Sequence, residues 1–186
     1  MLKYFYPILL LLLCFGLICQ GTDLSLAAAK KAKGPSTAPA PETVAAKGGE
    51  LVKTDYFSVK IPTGWIMPYP VKNRPDANSA VFAEEKSNLS VTVNAIKAPL
   101  SLKEFSNSLL PNMKQSGIKP GKPIMENGLC KIVFQGMPKG EAWLGANGTL
   151  CTAVVILSDS ADISPANKLL QALTSPTPKL FPKKVK

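Results

Sequence analysis

The chain has 186 residues, 46% of them hydrophobic, and sets 22 basic against 12 acidic groups for a net charge of +10, with no histidine. Without His, the Ser-His-Asp and Cys-His nucleophile arrangements are excluded, and a metal site would have to be built from carboxylates and Cys alone. A basic balance in a cytoplasmic chain points to nucleic acid, but the first residues argue that this chain leaves the cytoplasm.

Lys3 precedes an apolar run from Tyr4 to Ile18, and Ala27-x-Ala29 has the small-x-small spacing of a signal-peptidase site. This predicts a secretory signal over residues 1–29. The run falls short of the roughly 20 apolar residues of an uncleaved span. The expected product is exported to the periplasm or cell envelope and soluble once the signal is cleaved. A lipid anchor at Cys19 is disfavoured, because Ile18 stands where lipoprotein signals place a small residue. Export removes most of the case for nucleic acid as a partner.

Residues 30–50 read KKAKGPSTAPAPETVAAKGGE. Such a segment cannot bury enough apolar surface to offset its ordering entropy, and a flexible linker is expected. A single folded domain is then expected over residues 51–175, followed by a basic tail over 176–186. The charge is unevenly spread: +2 on the linker, thirteen basic against nine acidic groups in 51–175, and +4 on the tail.

Within the domain, Phe57, Val59 and Ile61 alternate with Ser58 and Lys60, which predicts a half-buried strand. Pro62-Thr63-Gly64 turns the chain, and Trp65 is expected to return against the sheet and cap one end of the core. A polar loop follows, with strands around Ala80–Ala83 and Leu89–Asn94. Ser101 and Glu104 form a capping box. Leu102, Phe105, Leu109 and Met113 share one face of the helix that it opens. Pro111 should kink or end that helix, with Gly117 as its C-terminal stop. A meander comes next: a short strand ending at Glu126, an Asn127-Gly128 hairpin, strands over 129–135 and 141–146, an Asn147-Gly148 hairpin, and a strand over 150–157. That last strand is apolar on both faces and should be central. A closing helix is expected with Ser164 as N-cap, Pro165 at its first position, and Ala166, Leu169, Leu170 and Leu173 on one face.

Chemistry-bearing constellations are few. The domain cysteines are Cys130 and Cys151. With Asn147-Gly148 at the hairpin tip, Cys151 faces Leu144, and Leu144 lies near Ile132. Cys130 is then two strands away and offset by two residues, about 11 Å at ~4.8 Å per strand. A disulfide needs about 7 Å or less, so buried thiols are expected, although an oxidising compartment favours a bridge. Glu84-Glu85 is an adjacent carboxylate pair whose members point to opposite faces of a strand. The sequence holds no G-x-G-x-x-G or phosphate-binding loop. Aromatic-cation neighbours Tyr56/Lys60 and Trp143/Lys139 read as packing rather than as a stacking platform.

The order of a leader, a Pro-rich linker, Phe57-x-Val59-x-Ile61-Pro62-x-Gly64-Trp65, alternating strands, and a helix opening Ser101-Leu102-Lys103-Glu104-Phe105 resembles the PsbP/DcrB-like family. The resemblance covers residues 51–175, with Pro111 as a departure. It implies an α+β fold: a mostly antiparallel β-sheet with helices packed on it, an α-β-α sandwich. It also implies an accessory or binding role with no catalytic residues or cofactor to carry over. Phe57, Pro62, Gly64, Trp65 and Trp143 are expected to be structural. The expected function is a non-catalytic domain docking on a cell-envelope protein or assembly. The alternative is a module that binds anionic lipid or polymer through Lys30, Lys31, Lys33, Lys179, Lys183, Lys184 and Lys186, and a hydrolase of unfamiliar type stands third.

Overall fold

The computed structural model of the chain describes residues 46–136, 138–160 and 162–185. The expected signal, most of the expected linker, Cys14, Cys19, Lys30, Lys31, Lys33 and Lys186 lie outside the described residues. The linker boundary moves: Ala46–Lys47 is already a strand, β1, with Ala46 buried.

β2 (Leu51–Lys53) and β3 (Ser58–Lys60) pair antiparallel. Phe57, Val59 and Ile61 are buried and Lys60 is exposed, as the alternation requires. Pro62-Thr63-Gly64 does more than turn the chain back. The Trp65 N–H donates to the Pro62 carbonyl at 3.1 Å, and Gly64 takes φ +83°. Across this turn the chain leaves one sheet for another, because β4 (Trp65–Met67) belongs to the large sheet. Trp65, only 1% exposed, fills the space between the two.

The expected polar loop contains a short strand, β5 (Lys72–Asn73), which pairs with β6 (Ala77–Glu84). β7 (Ser90–Lys97) follows. Helix α1 (Leu102–Gln115) opens on the expected box: the Ser101 hydroxyl accepts from the Glu104 N–H, and the Glu104 carboxylate accepts from the Ser101 N–H at 2.8 Å. Pro111 does not end α1. It lies on the exposed side, as does Asn107, whose carbonyl loses its ladder donor there, so water can replace the missing bond. Gly117 N–H bonds to Lys114 O and Ile118 N–H to Met113 O, a Schellman end with Ile118 buried beneath it.

The meander comprises β8 (Ile124–Glu126), β9 (Leu129–Val133), β10 (Lys139–Ala146) and β11 (Leu150–Ser158). Asn127 and Gly128 both take positive φ, as a two-residue hairpin of that sequence predicts. The next hairpin departs from expectation by one residue. Asn147 pairs with Leu150, and the Asn147 side-chain oxygen accepts from the Thr149 and Leu150 N–H groups. The tip is therefore Gly148-Thr149, and Cys151 faces Ala146 instead of Leu144. Leu144 faces Cys130, not Ile132. The two register shifts reverse the direction of the offset but keep its size, so Cys130 and Cys151 still stand two strands apart and offset by two residues. Both are buried free thiols.

Among the described residues, nine strands form the large sheet in the order β1-β4-β6-β7-β11-β10-β9-β8, with β5 beside β6. Every residue of β11 is buried, as a central strand covered on both faces should be. Helix α2 is shorter than expected, Ala166–Ala172, and Ser164 makes no side-chain cap. Asp162 accepts from the Ser164 N–H instead. Leu173 leaves the helix as the first residue of β12 (Leu173–Thr174), which pairs with β3 and completes a small sheet, β12-β3-β2.

The described strand pairs are all antiparallel. Phe105, Leu109 and Met113 of α1 pack on one face of the large sheet with Cys130, Cys151 and Val155. Leu169 and Leu170 of α2 pack on the other with Val91, Val154 and Ile156. The fold is α+β, an α-β-α sandwich.

Candidate functional site

The largest correction concerns the basic tail. Residues 176–185 do not trail away. Pro178–Leu180 forms a 3-10 turn, and Leu180, Phe181 and Val185 are buried in the α2-side core. The Phe181 ring meets Phe57 edge-on, with centroids 6.3 Å apart at 61°. The Thr152 hydroxyl donates to the Leu180 carbonyl. Gly145 is what allows this approach: a Cβ there would collide with the Leu180 backbone. The folded unit therefore reaches Val185, ten residues beyond the expected boundary at 175.

Folding back in this way, the segment walls a cleft of about 650 Å³. The hairpin tips at Asn127-Gly128 and Asn147 bound it on one side, and Pro178 to Lys184 on the other. Leu129 and Trp143 lie at its floor. Lys179, Lys183 and Lys184 are exposed lining residues, so three of the seven lysines expected on loose arms are fixed around one concavity.

Trp143 is buried, and the cation beside it is Lys131, not Lys139. Lys131 is its direct cross-strand partner, with Nζ 4.8 Å from the ring centroid. The indole N–H donates to Glu141 Oε1 at 2.6 Å, and Glu141 Oε2 bridges to Lys131 Nζ at 2.7 Å. A buried carboxylate persists only when charge-paired and hydrogen-bonded, and Glu141 is both. Lys139 instead sits exposed at the start of β10, opposite Ser158. Tyr56 packs on the core and donates its hydroxyl to Pro75 O, while Lys60 is exposed opposite Leu51.

Other sequence candidates do not converge on this cleft. Glu84 ends β6 and accepts from the Ser87 hydroxyl, and the Glu85 N–H donates to Gly64 O. Cys130 and Cys151 lie on the α1 side of the sheet, where burial pushes both thiols above their ordinary pKa. Among the described residues, no group of three or more His, Cys, Asp or Glu is placed to hold a metal, and no helix is long and apolar enough to cross a membrane.

No family model and no curated protein matches the chain. The fold is similar to one solved structure. It is the solution structure of cyanobacterial PsbP (CyanoP) from Synechocystis sp. PCC 6803, at 17% sequence identity and a TM-score of 0.39, covering 76% of this chain and 98% of that one. The fold class stated above rests on strand order and register, not on this likeness.

The sequence did not point to the cleft. Leu129 reads as an ordinary strand residue, and the prolines and lysines of 176–186 mask three large apolar side chains, Leu180, Phe181 and Val185. Those three residues were the available signal.

Proposed function

We propose that this chain is an exported, non-catalytic accessory domain that docks on a protein or assembly of the cell envelope. The observation that carries this reading is the folded C-terminal segment, which fixes Lys179, Lys183 and Lys184 around a walled cleft of about 650 Å³. Lysines held on a rigid frame select a partner by position as well as by charge. The PsbP/DcrB-like pattern of Phe57 to Trp65 and the leader-like first 29 residues favour the same role and place.

The experiment is in-cell crosslinking and affinity capture from the native envelope. It compares the full chain with a variant carrying Lys179→Glu, Lys183→Glu and Lys184→Glu. Trimming at residue 175 would be a poor comparison, because it removes Leu180, Phe181 and Val185 from the core. A defined protein recovered by the full chain and lost from the variant supports docking at the cleft. Recovery of anionic lipid or polymer in its place would favour a surface-binding module instead.

A further inference from the structure

The surface that continues from the cleft says what kind of partner fits it. Leu129, Lys131 and Val133 of β9 alternate onto one face of the sheet, and Ile124 of β8 is the register partner of Lys131 and so shares that face. The C-terminal segment meets this face at Gly145, with Trp143 and the first residue of β9, Leu129, buried beside it. Beyond it the two outermost strands leave Ile124 53% and Val133 43% exposed. At about 3.3 Å per residue, Val133 stands roughly 13 Å from Leu129 at the cleft floor. Ile124 and Val133 thus stand as exposed apolar side chains on either side of Lys131, on the face that leads out of a concavity rimmed by lysines.

We infer that the docking element of the partner is an acidic, amphipathic peptide segment. It lays apolar side chains over Ile124 and Val133 and directs carboxylates to Lys179, Lys183 and Lys184. This rests on the docking role proposed above. Charge complementarity selects the occupant. The chain's own residues 30–50 carry four Lys against two Glu, and a second copy carries +10, so neither brings the excess negative charge that suits the lysine rim. A lone phosphate fits the charge but leaves Ile124 and Val133 uncovered. A volume of about 650 Å³ lies within the roughly 300–1,000 Å³ of ordinary ligand clefts, enough to seat a few side chains.

The test places a photo-crosslinking amino acid at Ile124, Val133 or Lys183 of the full chain in its native cell. Lys103, exposed on α1 over the opposite face, serves as the control position. Crosslinked peptides are then sequenced. The expected result is that Ile124, Val133 and Lys183 all crosslink to one segment rich in both acidic and apolar residues. Adding the three Lys→Glu changes, or raising salt, should cut the yield roughly tenfold. A basic or uncharged target segment overturns the inference. So do protein crosslinks from Lys103 alone, although the docking role then stands. Crosslinks to lipid alone, or none from any position, overturn both.

Discussion

Asn167 holds Val185 by two hydrogen bonds at once: its side-chain N–H donates to the Val185 carbonyl at 3.0 Å, and its side-chain oxygen accepts from the Val185 N–H at 2.7 Å. The amide imitates one rung of a strand pair and ties the C-terminal segment to α2. At about 0.5–1.5 kcal/mol for each net bond, Asn167→Ala should cost about 1–3 kcal/mol in a denaturant titration. Phe181→Ala should cost more, about 3–5 kcal/mol, because it also empties the space against Phe57. A freely trailing segment would leave both variants as stable as the parent.

Trp65→Ala is expected to lose about 3–5 kcal/mol, since the ring is buried between the two sheets. For a domain of this size that is a large share of total stability. Equilibrium unfolding followed by far-ultraviolet circular dichroism checks it. A near-parental midpoint would mean that the core closes without the indole.

Acid should loosen one helix cap, at Ser101-Glu104, and one turn, at Asp162-Ser164. The Ser101 hydroxyl, then the Ser101 N–H, holds the Glu104 carboxyl below its ordinary pKa, and Ser164 does the same for Asp162. A depressed folded pKa contributes stability that is complete above the unfolded value and lost as pH falls through the folded one. Both groups are exposed, so the contribution is small and screened by salt. Glu104→Gln with Asp162→Asn should therefore give up a small increment of stability at neutral pH and converge with the parent in acid, which flattens the acidic limb of the stability-pH curve. An identical acidic limb in parent and variant would remove both carboxylates from the account.

Intact mass without reductant should show Cys130 and Cys151 both as thiols. Alkylation of the native protein should be slow and that of the denatured protein fast, because both sulfurs are buried and burial disfavours the thiolate. A mass short by two hydrogens would require strands that the present register keeps apart to become neighbours.

Local rules carried most of the fold. The capping box at Ser101-Glu104, the Asn127-Gly128 turn and the doubly apolar β11 are decided by residues close in sequence, and all three form as their patterns require. What escaped was decided at longer range. Whether the second hairpin tip falls at Asn147-Gly148 or Gly148-Thr149 depends on the Asn147 side chain bonding ahead to Thr149 and Leu150, a choice that composition does not fix. Leu173 suits a helix but is claimed by Val59, more than a hundred residues earlier. The cleft depends on the return of residues 178–184, whose partners Gly145 and Thr152 lie in strands that carry no sign of the visitor.

The small sheet joins stretches that the sequence keeps far apart. Ser58 pairs with Thr174, the Tyr56 carbonyl accepts from the Ser175 hydroxyl, and Phe57 touches Phe181. Residues 51–60 and 173–185 therefore hold each other in place, and together with α2 they cover Val154 and Ile156. A protease that nicks either stretch exposes the same apolar surface. Damage near residue 57 and damage near residue 181 should then produce one shared partly unfolded species, with the meander still paired and its α2-side face bare.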